Sequence, residues 1–118
     1  MTIPLTEKKC EPCEGKVKAM DIRQANEYLK NTPGWKLDEN NQSIYREFTT
    51  KNFMTAIDFM NKVAQIAENE NHHPDFHLTG YRHLKIYLST HAIGGLSEND
   101  FIVAAKINQL PIELKKQS

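Results

Sequence analysis

Histidine is the side chain best suited to proton chemistry near neutral pH, because an unperturbed imidazole titrates near 6.5. The five histidines of this sequence are unevenly placed. The stretch ENHHPDFHLTG (70–80) holds His72, His73 and His77, and His83 and His91 follow within twelve residues. Three chemistries compete for them. A metal centre could use His72, His73 and His91 with a carboxylate, but ligands adjacent in sequence are awkward to converge on one ion, and no HExxH-type helical spacing is present. A nucleophilic enzyme would need an activated serine or cysteine; there is no GxSxG elbow, and Cys10 and Cys13 are far from the histidines in sequence. Metal-free acid–base catalysis needs only two or three imidazoles around a pocket, provided that the substrate brings a leaving group and an internal electron push.

The elements that must hold these histidines are legible in the residue pattern. KNFMTAIDFMNKVAQIAEN (51–69) places Phe53, Ala56, Ile57, Met60, Val63, Ala64 and Ala67 at helical spacing, which predicts a long helix with that stripe in the core. Pro74 drives His73 out of the helical region, so the helix ends by about His72. The negative end of its macrodipole, and Glu68 four residues before His72, would both favour a protonated His72. RHLKIYLST (82–90) alternates strictly and predicts a half-buried strand, with Leu84, Ile86 and Leu88 on one face and His83, Lys85, Tyr87 and Ser89 on the other. If the strand stays regular, His91 shares the polar face at its end. Gly94 and Gly95 beyond it allow close approach by a ligand, or simply a tight loop. His77 and His83 read as solvated surface histidines.

Upstream, Asp21 with Gln24 three residues on predicts a short helix carrying Ile22, Ala25 and Leu29, ended before Pro33. Trp35 and Leu37 are expected to pair with Ile44 to Thr49 across the turn-forming DENNQ, Trp35 serving as a core anchor. Ser97 as N-cap with Asp100 at N3 opens a last helix whose inner side carries Phe101, Ala104, Ala105 and Ile107. The order α-β-β-α-β-β-α predicts an α+β fold, a four-stranded antiparallel sheet with helices packed on one face. Residues 1–18 read as an N-terminal tail or strap and 19–118 as a single domain.

Composition bounds the function. With 118 residues, 39% hydrophobic and 25% charged, the chain is long enough for one core. Fifteen Lys and Arg balance fifteen Asp and Glu, so there is no net field to attract nucleic acid or an anionic membrane. The absence of a long apolar run or a signal-like start gives the expectation of a cytoplasmic protein with no membrane partner. The lone CEPC formed by Cys10 and Cys13 is a weak redox signal, read as reduced thiols of minor structural weight.

The segments ENHHPDFHLTGYR and YLSTHAIGGLSENDF resemble the pterin-4a-carbinolamine dehydratase family. That family has His-His-Pro after a helix, an aromatic residue soon after, Thr-His at the end of the next strand, then Gly-Gly-Leu and an Asp opening the last helix. Here these are His72, His73, Pro74, Phe76, Thr90, His91, Gly94, Gly95, Leu96 and Asp100. The similarity continues through FMNKVAQIAE and the pair Gly34 and Trp35, and covers most of the chain. It implies dehydration of a 4a-hydroxytetrahydropterin to the quinonoid dihydropterin, which recycles tetrahydrobiopterin, in a homodimer or homotetramer with no metal or organic cofactor and no direct nucleic-acid contact.

Carried over by position, the resemblance makes His72 a general acid, His91 a second acid–base group and His73 a binding and orienting group. It further implies that Asn71, Ser89, Thr90 and Ala92 line the pterin site, that Phe76 supplies an aromatic wall, and that Glu68 and Asp100 support the histidines. Asp100 reads equally as a helix cap. Relative to the animal form there is one more residue before His91, assigned to Gly80 as a bulge or longer turn, and Phe76 and Ala92 replace a tryptophan and an aspartate. The alternatives are a dimerisation cofactor for a transcription factor, as the animal relatives also serve, and a pterin role near molybdopterin metabolism.

Overall fold

Strict alternation along Arg82 to Thr90 becomes a strand at the heart of the molecule. In the computed structural model, which describes residues 4–11 and 18–115, the strands are β1 (Lys36–Leu37), β2 (Ile44–Thr49), β3 (Asp75–Thr79) and β4 (His83–Leu88). They form one antiparallel sheet in the order β1-β2-β4-β3. The register pairs Ile44 with Leu88, Phe48 with Leu84 and Phe76 with Ile86, so one face carries Ile44, Phe48, Leu84, Ile86 and Leu88, all buried. Removing each such side chain from water is worth about 1.5–3 kcal/mol. The opposite face carries His83, Lys85 and Tyr87, exposed or half-buried. β3 pairs with β4 residue for residue, so the additional residue near Gly80 is not a bulge. It lengthens the turn, where Gly80 and Tyr81 both take positive φ, 53° and 56°.

Three helices, α1 (Ile22–Leu29), α2 (Phe53–Glu70) and α3 (Glu98–Asn108), complete the expected α+β order. A capping box starts α1: the Gln24 N–H donates to the Asp21 carboxylate at 2.8 Å, and the Asp21 N–H to Gln24 Oε1 at 3.1 Å. Ala25 is buried but Ile22 is 52% exposed, against the expectation of an inward Ile22. In α2 the buried residues are Ala56, Phe59, Val63 and Ala67. Ile57, Met60 and Ala64 are only half-buried, and Phe53, expected in the core, is 47% exposed. Helical Cα–Cβ bonds lean toward the N-terminus, so a first-turn side chain overhangs the end of its helix. Phe59, which the sequence pattern had not singled out, packs on Phe48 with ring centroids 5.0 Å apart.

α3 is buried well beyond the one-sided stripe expected of it: Ile102 and Val103 are as inaccessible as Phe101 and Ile107. Helix α1 covers part of it, with Tyr28 stacked on Phe101 at 5.0 Å. A 3-10 turn, Leu5–Glu7, lies against α3, and the Lys8 ammonium meets Glu98 at 2.9 Å. An element covered from several sides must be apolar around its circumference.

Trp35 is a core anchor, 4% exposed, and its indole N–H is satisfied by donating to Asn108 Oδ1 at 2.9 Å. The same oxygen accepts from Arg46 of β2, while the Asn108 amide donates to the Pro33 carbonyl at 3.0 Å. One side chain thus joins the end of α3 to the sheet and to the turn before β1. Asn108→Ala would leave the buried indole N–H unpaired, a cost of about 1–3 kcal/mol. A denaturant titration should show a correspondingly lower midpoint; an unchanged midpoint would remove this clamp from the account.

Candidate active site

The end of α2 sets the direction of the histidine pair. Asn71 adopts the left-handed conformation, φ 52° and ψ 41°, which asparagine tolerates better than most residues. Its N–H donates to the Glu68 carbonyl at 3.3 Å, and the His72 N–H to the Ala67 carbonyl at 3.1 Å, the bonding of a Schellman turn. The chain therefore leaves the helix abruptly before Pro74 and enters β3. This reversal sends the two imidazoles to different environments: the His72 side chain is 12% exposed and that of His73 56%. Glu68, expected to act on His72, faces His73 instead, at 3.3 Å.

His91 arrives by a different route from the one its strand parity suggested. β4 stops at Leu88, Thr90 bridges to Gly95, and His91 opens a 3-10 turn, His91–Ile93. The turn closes at Gly94 with φ 64°, where glycine is the least strained residue. Gly95 sits so near Ala19 that an added Cβ would lie 2.8 Å from the alanine Cβ. His91 itself is exposed at the rim.

Beneath both segments lies Asp100, 0% exposed. Its Oδ2 accepts from the Ser97 N–H at 3.0 Å and from the Thr90 hydroxyl at 2.9 Å, and its Oδ1 is 2.6 Å from His72 Nε2. Ser97 and Thr90 share a further hydroxyl contact at 2.8 Å. The capping role and the role toward the histidine are thus filled by the two oxygens of one carboxylate. An ionised carboxylate can only accept, so Nε2 of His72 carries the hydrogen and Nδ1 is left to exchange a proton. The first turn of α3 adds its positive end to the stabilisation of the carboxylate.

These segments enclose a pocket of about 350 Å3, within the size range of small-molecule sites. His72, His73 and His91 line it together, with Asn71, Ser89, Thr90 and Ala92 between them. Three expected residues are not in the wall. Asp100 is below it. Glu68 is on the exposed side of α2. Phe76 is on the core side of β3, half-buried like Leu78, which shares its face by the alternation of the strand.

Two wall residues went unforeseen, Glu11 and Asn99. The Glu11 N–H donates to Asn99 Oδ1 at 3.0 Å, and Asn99 Nδ2 to the Glu11 carbonyl at 2.6 Å. The usable signal was Asn99 itself, a short amide in the first turn of a helix with no cap to make. Next to this clamp, Cys10 carries a free thiol that burial, and then Glu70, push up to about 12. Such a thiol is almost wholly protonated at neutral pH and a poor nucleophile. Cys13, the other half of the CEPC, lies outside the described residues. Among the described residues no group of three or more His, Cys, Asp or Glu could hold a metal ion, and no helix is long and apolar enough to cross a membrane.

With this geometry in place, the comparisons with known proteins converge. Residues 18–110 match the family model described as pterin 4 alpha carbinolamine dehydratase. The chain is 48% identical over 112 residues to pterin-4-alpha-carbinolamine dehydratase 2, mitochondrial, of Arabidopsis thaliana, covering 92% of this chain and 60% of that longer protein. A relative from Halorhodospira halophila is 48% identical over 106 residues, covering 90% of this chain and 96% of its own. Among solved structures, a transcriptional coactivator/pterin dehydratase from Brucella melitensis superposes with a TM-score of 0.71 at 33% identity, over 77% of this chain and 96% of that one. The matched region holds all three pocket histidines together with Asp100, and the chain belongs to the pterin 4 alpha carbinolamine dehydratase family of hydro-lyases.

Proposed function

We propose that the chain dehydrates a 4a-hydroxytetrahydropterin by histidine acid–base catalysis to the quinonoid dihydropterin, the form from which a separate two-electron reduction restores the tetrahydropterin cofactor. One observation carries the reading. A buried carboxylate lies 2.6 Å from Nε2 of one imidazole, in a pocket lined by two more.

The reaction suits this equipment. The N5 lone pair of the substrate forms the new C=N bond as the C4a–oxygen bond breaks, and the hydroxyl leaves as water once it is protonated. N5 then gives up its own proton. One acid and one base are needed, and the proton count balances with no external oxidant or reductant. His72 is assigned as the general acid: Asp100 holds Nε2, so the proton delivered comes from Nδ1. His91 is the second acid–base group, accepting the N5 proton. His73, exposed and paired with Glu68, binds and orients the ring. Asn71, Ser89, Thr90 and Ala92 shape the pterin site, and Asp100 acts through His72 as a positioning residue.

Two outcomes test the assignment. His72→Ala and His91→Ala should each lower turnover of freshly generated 4a-hydroxytetrahydropterin by roughly 10² or more, with unchanged circular dichroism; full turnover in either variant would sink that residue's role. Treatment with a metal chelator should leave turnover intact. Loss of activity that returns on adding zinc would replace the acid–base reading with a metal-assisted one.

A further inference from the structure

The acid–base assignment leaves the recognition of the pterin ring without a carboxylate. Asp100 is committed below the pocket to Ser97, Thr90 and His72, and Glu68 lies outside the wall against His73. Glu11 is the acidic residue of the wall itself.

We propose that Glu11 is a specificity residue whose carboxylate, carried to the pocket by the N-terminal segment, binds the donor edge of the pterin, formed by the ring amide N–H and the neighbouring exocyclic amino group. This rests on the dehydratase reading above. Two parallel donors in one plane are the pattern that a bidentate carboxylate matches, and such charge-assisted pairs are about twice as strong as neutral ones. Histidine is a poor substitute, because a protonated imidazole only donates. The donor edge also lies on a different part of the bicycle from the N5–C4a bond, so one group can hold the ring while the imidazoles move protons.

The segment that carries Glu11 is anchored as a built wall would be. Asn99, 7% exposed, grips the Glu11 backbone through both of its amide atoms. One residue earlier, the Cys10 N–H donates to Glu70 Oε1 at 2.9 Å, and Glu70 is itself held by Lys106 at 2.7 Å. The Glu70 carboxyl sits below its ordinary range despite burial, because Lys106 and the Cys10 N–H both favour its charged form. All of these anchors take the backbone of residues 10 and 11. Changing the Glu11 side chain leaves them in place.

The test compares the full chain with its Glu11→Gln variant by calorimetric titration with 7,8-dihydropterin and with the analogue lacking the exocyclic amino group, after matched thermal melts. Wild type should prefer dihydropterin by about tenfold or more. Glu11→Gln presents an amide donor to a donor edge, so it should bind dihydropterin about tenfold more weakly and lose the preference. A variant that keeps the wild-type affinities and preference would overturn the role of Glu11 and leave the dehydratase reading standing. A variant that weakens both ligands alike would reduce Glu11 to wall packing and also overturn it. Failure of the wild type to bind either ligand would overturn both readings together.

Discussion

The structure depends on one buried charge. Asp100 is fully inaccessible, and an ionised carboxylate removed from water is tolerated only when its lone pairs are taken up. Here they are taken up by three parts of the chain at once: the start of α3 through Ser97, the segment after β4 through Thr90, and the turn after α2 through His72. The first two contacts also serve stability, since they cap a helix and seal a loop. The third orients the imidazole to which we assign the acid role. Fold and site therefore share one group, and a change at Asp100 would be felt in both.

What surrounds that group can be read as a set of devices for aiming side chains. A left-handed asparagine at the end of α2 reverses the chain within one residue and separates a sheltered histidine from an exposed one. A left-handed glycine closes the short turn that brings His91 to the same pocket. The N-terminal segment, clamped by Asn99 and Glu70, forms the remaining wall and shelters a side of α3 that would otherwise expose apolar surface. The histidines of the pocket thus sit on turns whose positions are fixed by the helices and strands on either side.

Much of this was legible in the sequence because it follows from local rules. The period of two in β4, the cap residues of α1 and α3, and the proline after the histidine pair each act within a few residues, and the structure follows them. The departures come from tertiary context. Periodicity identifies α2 but sets its inner stripe partly wrong, passing over Phe59 and including Phe53, because a first-turn side chain leans past the end of its helix. Parity along β4 did not extend to His91, since the bridge between Thr90 and Gly95 ends the strand early. Spacing along the chain paired Glu68 with His72, whereas the reversal at Asn71 gives it to His73. Resemblance alone puts Phe76 in the wall, whereas it is half-buried and packs against the core. Glu11 could not be found from sequence, being 88 residues from Asn99, the residue that holds it.

The acid role assigned to His72 depends on a buried carboxylate. It is tested most directly by the pH–rate profile of Asp100→Asn with freshly generated 4a-hydroxytetrahydropterin. Asparagine keeps an oxygen to accept from Ser97 and Thr90, so the helix cap survives. It turns an amide donor toward Nε2, reversing the tautomer, and removes the negative charge. The account predicts a folded protein whose turnover falls by roughly 10² or more with an altered acid limb. Wild-type turnover with an unchanged profile would contradict it.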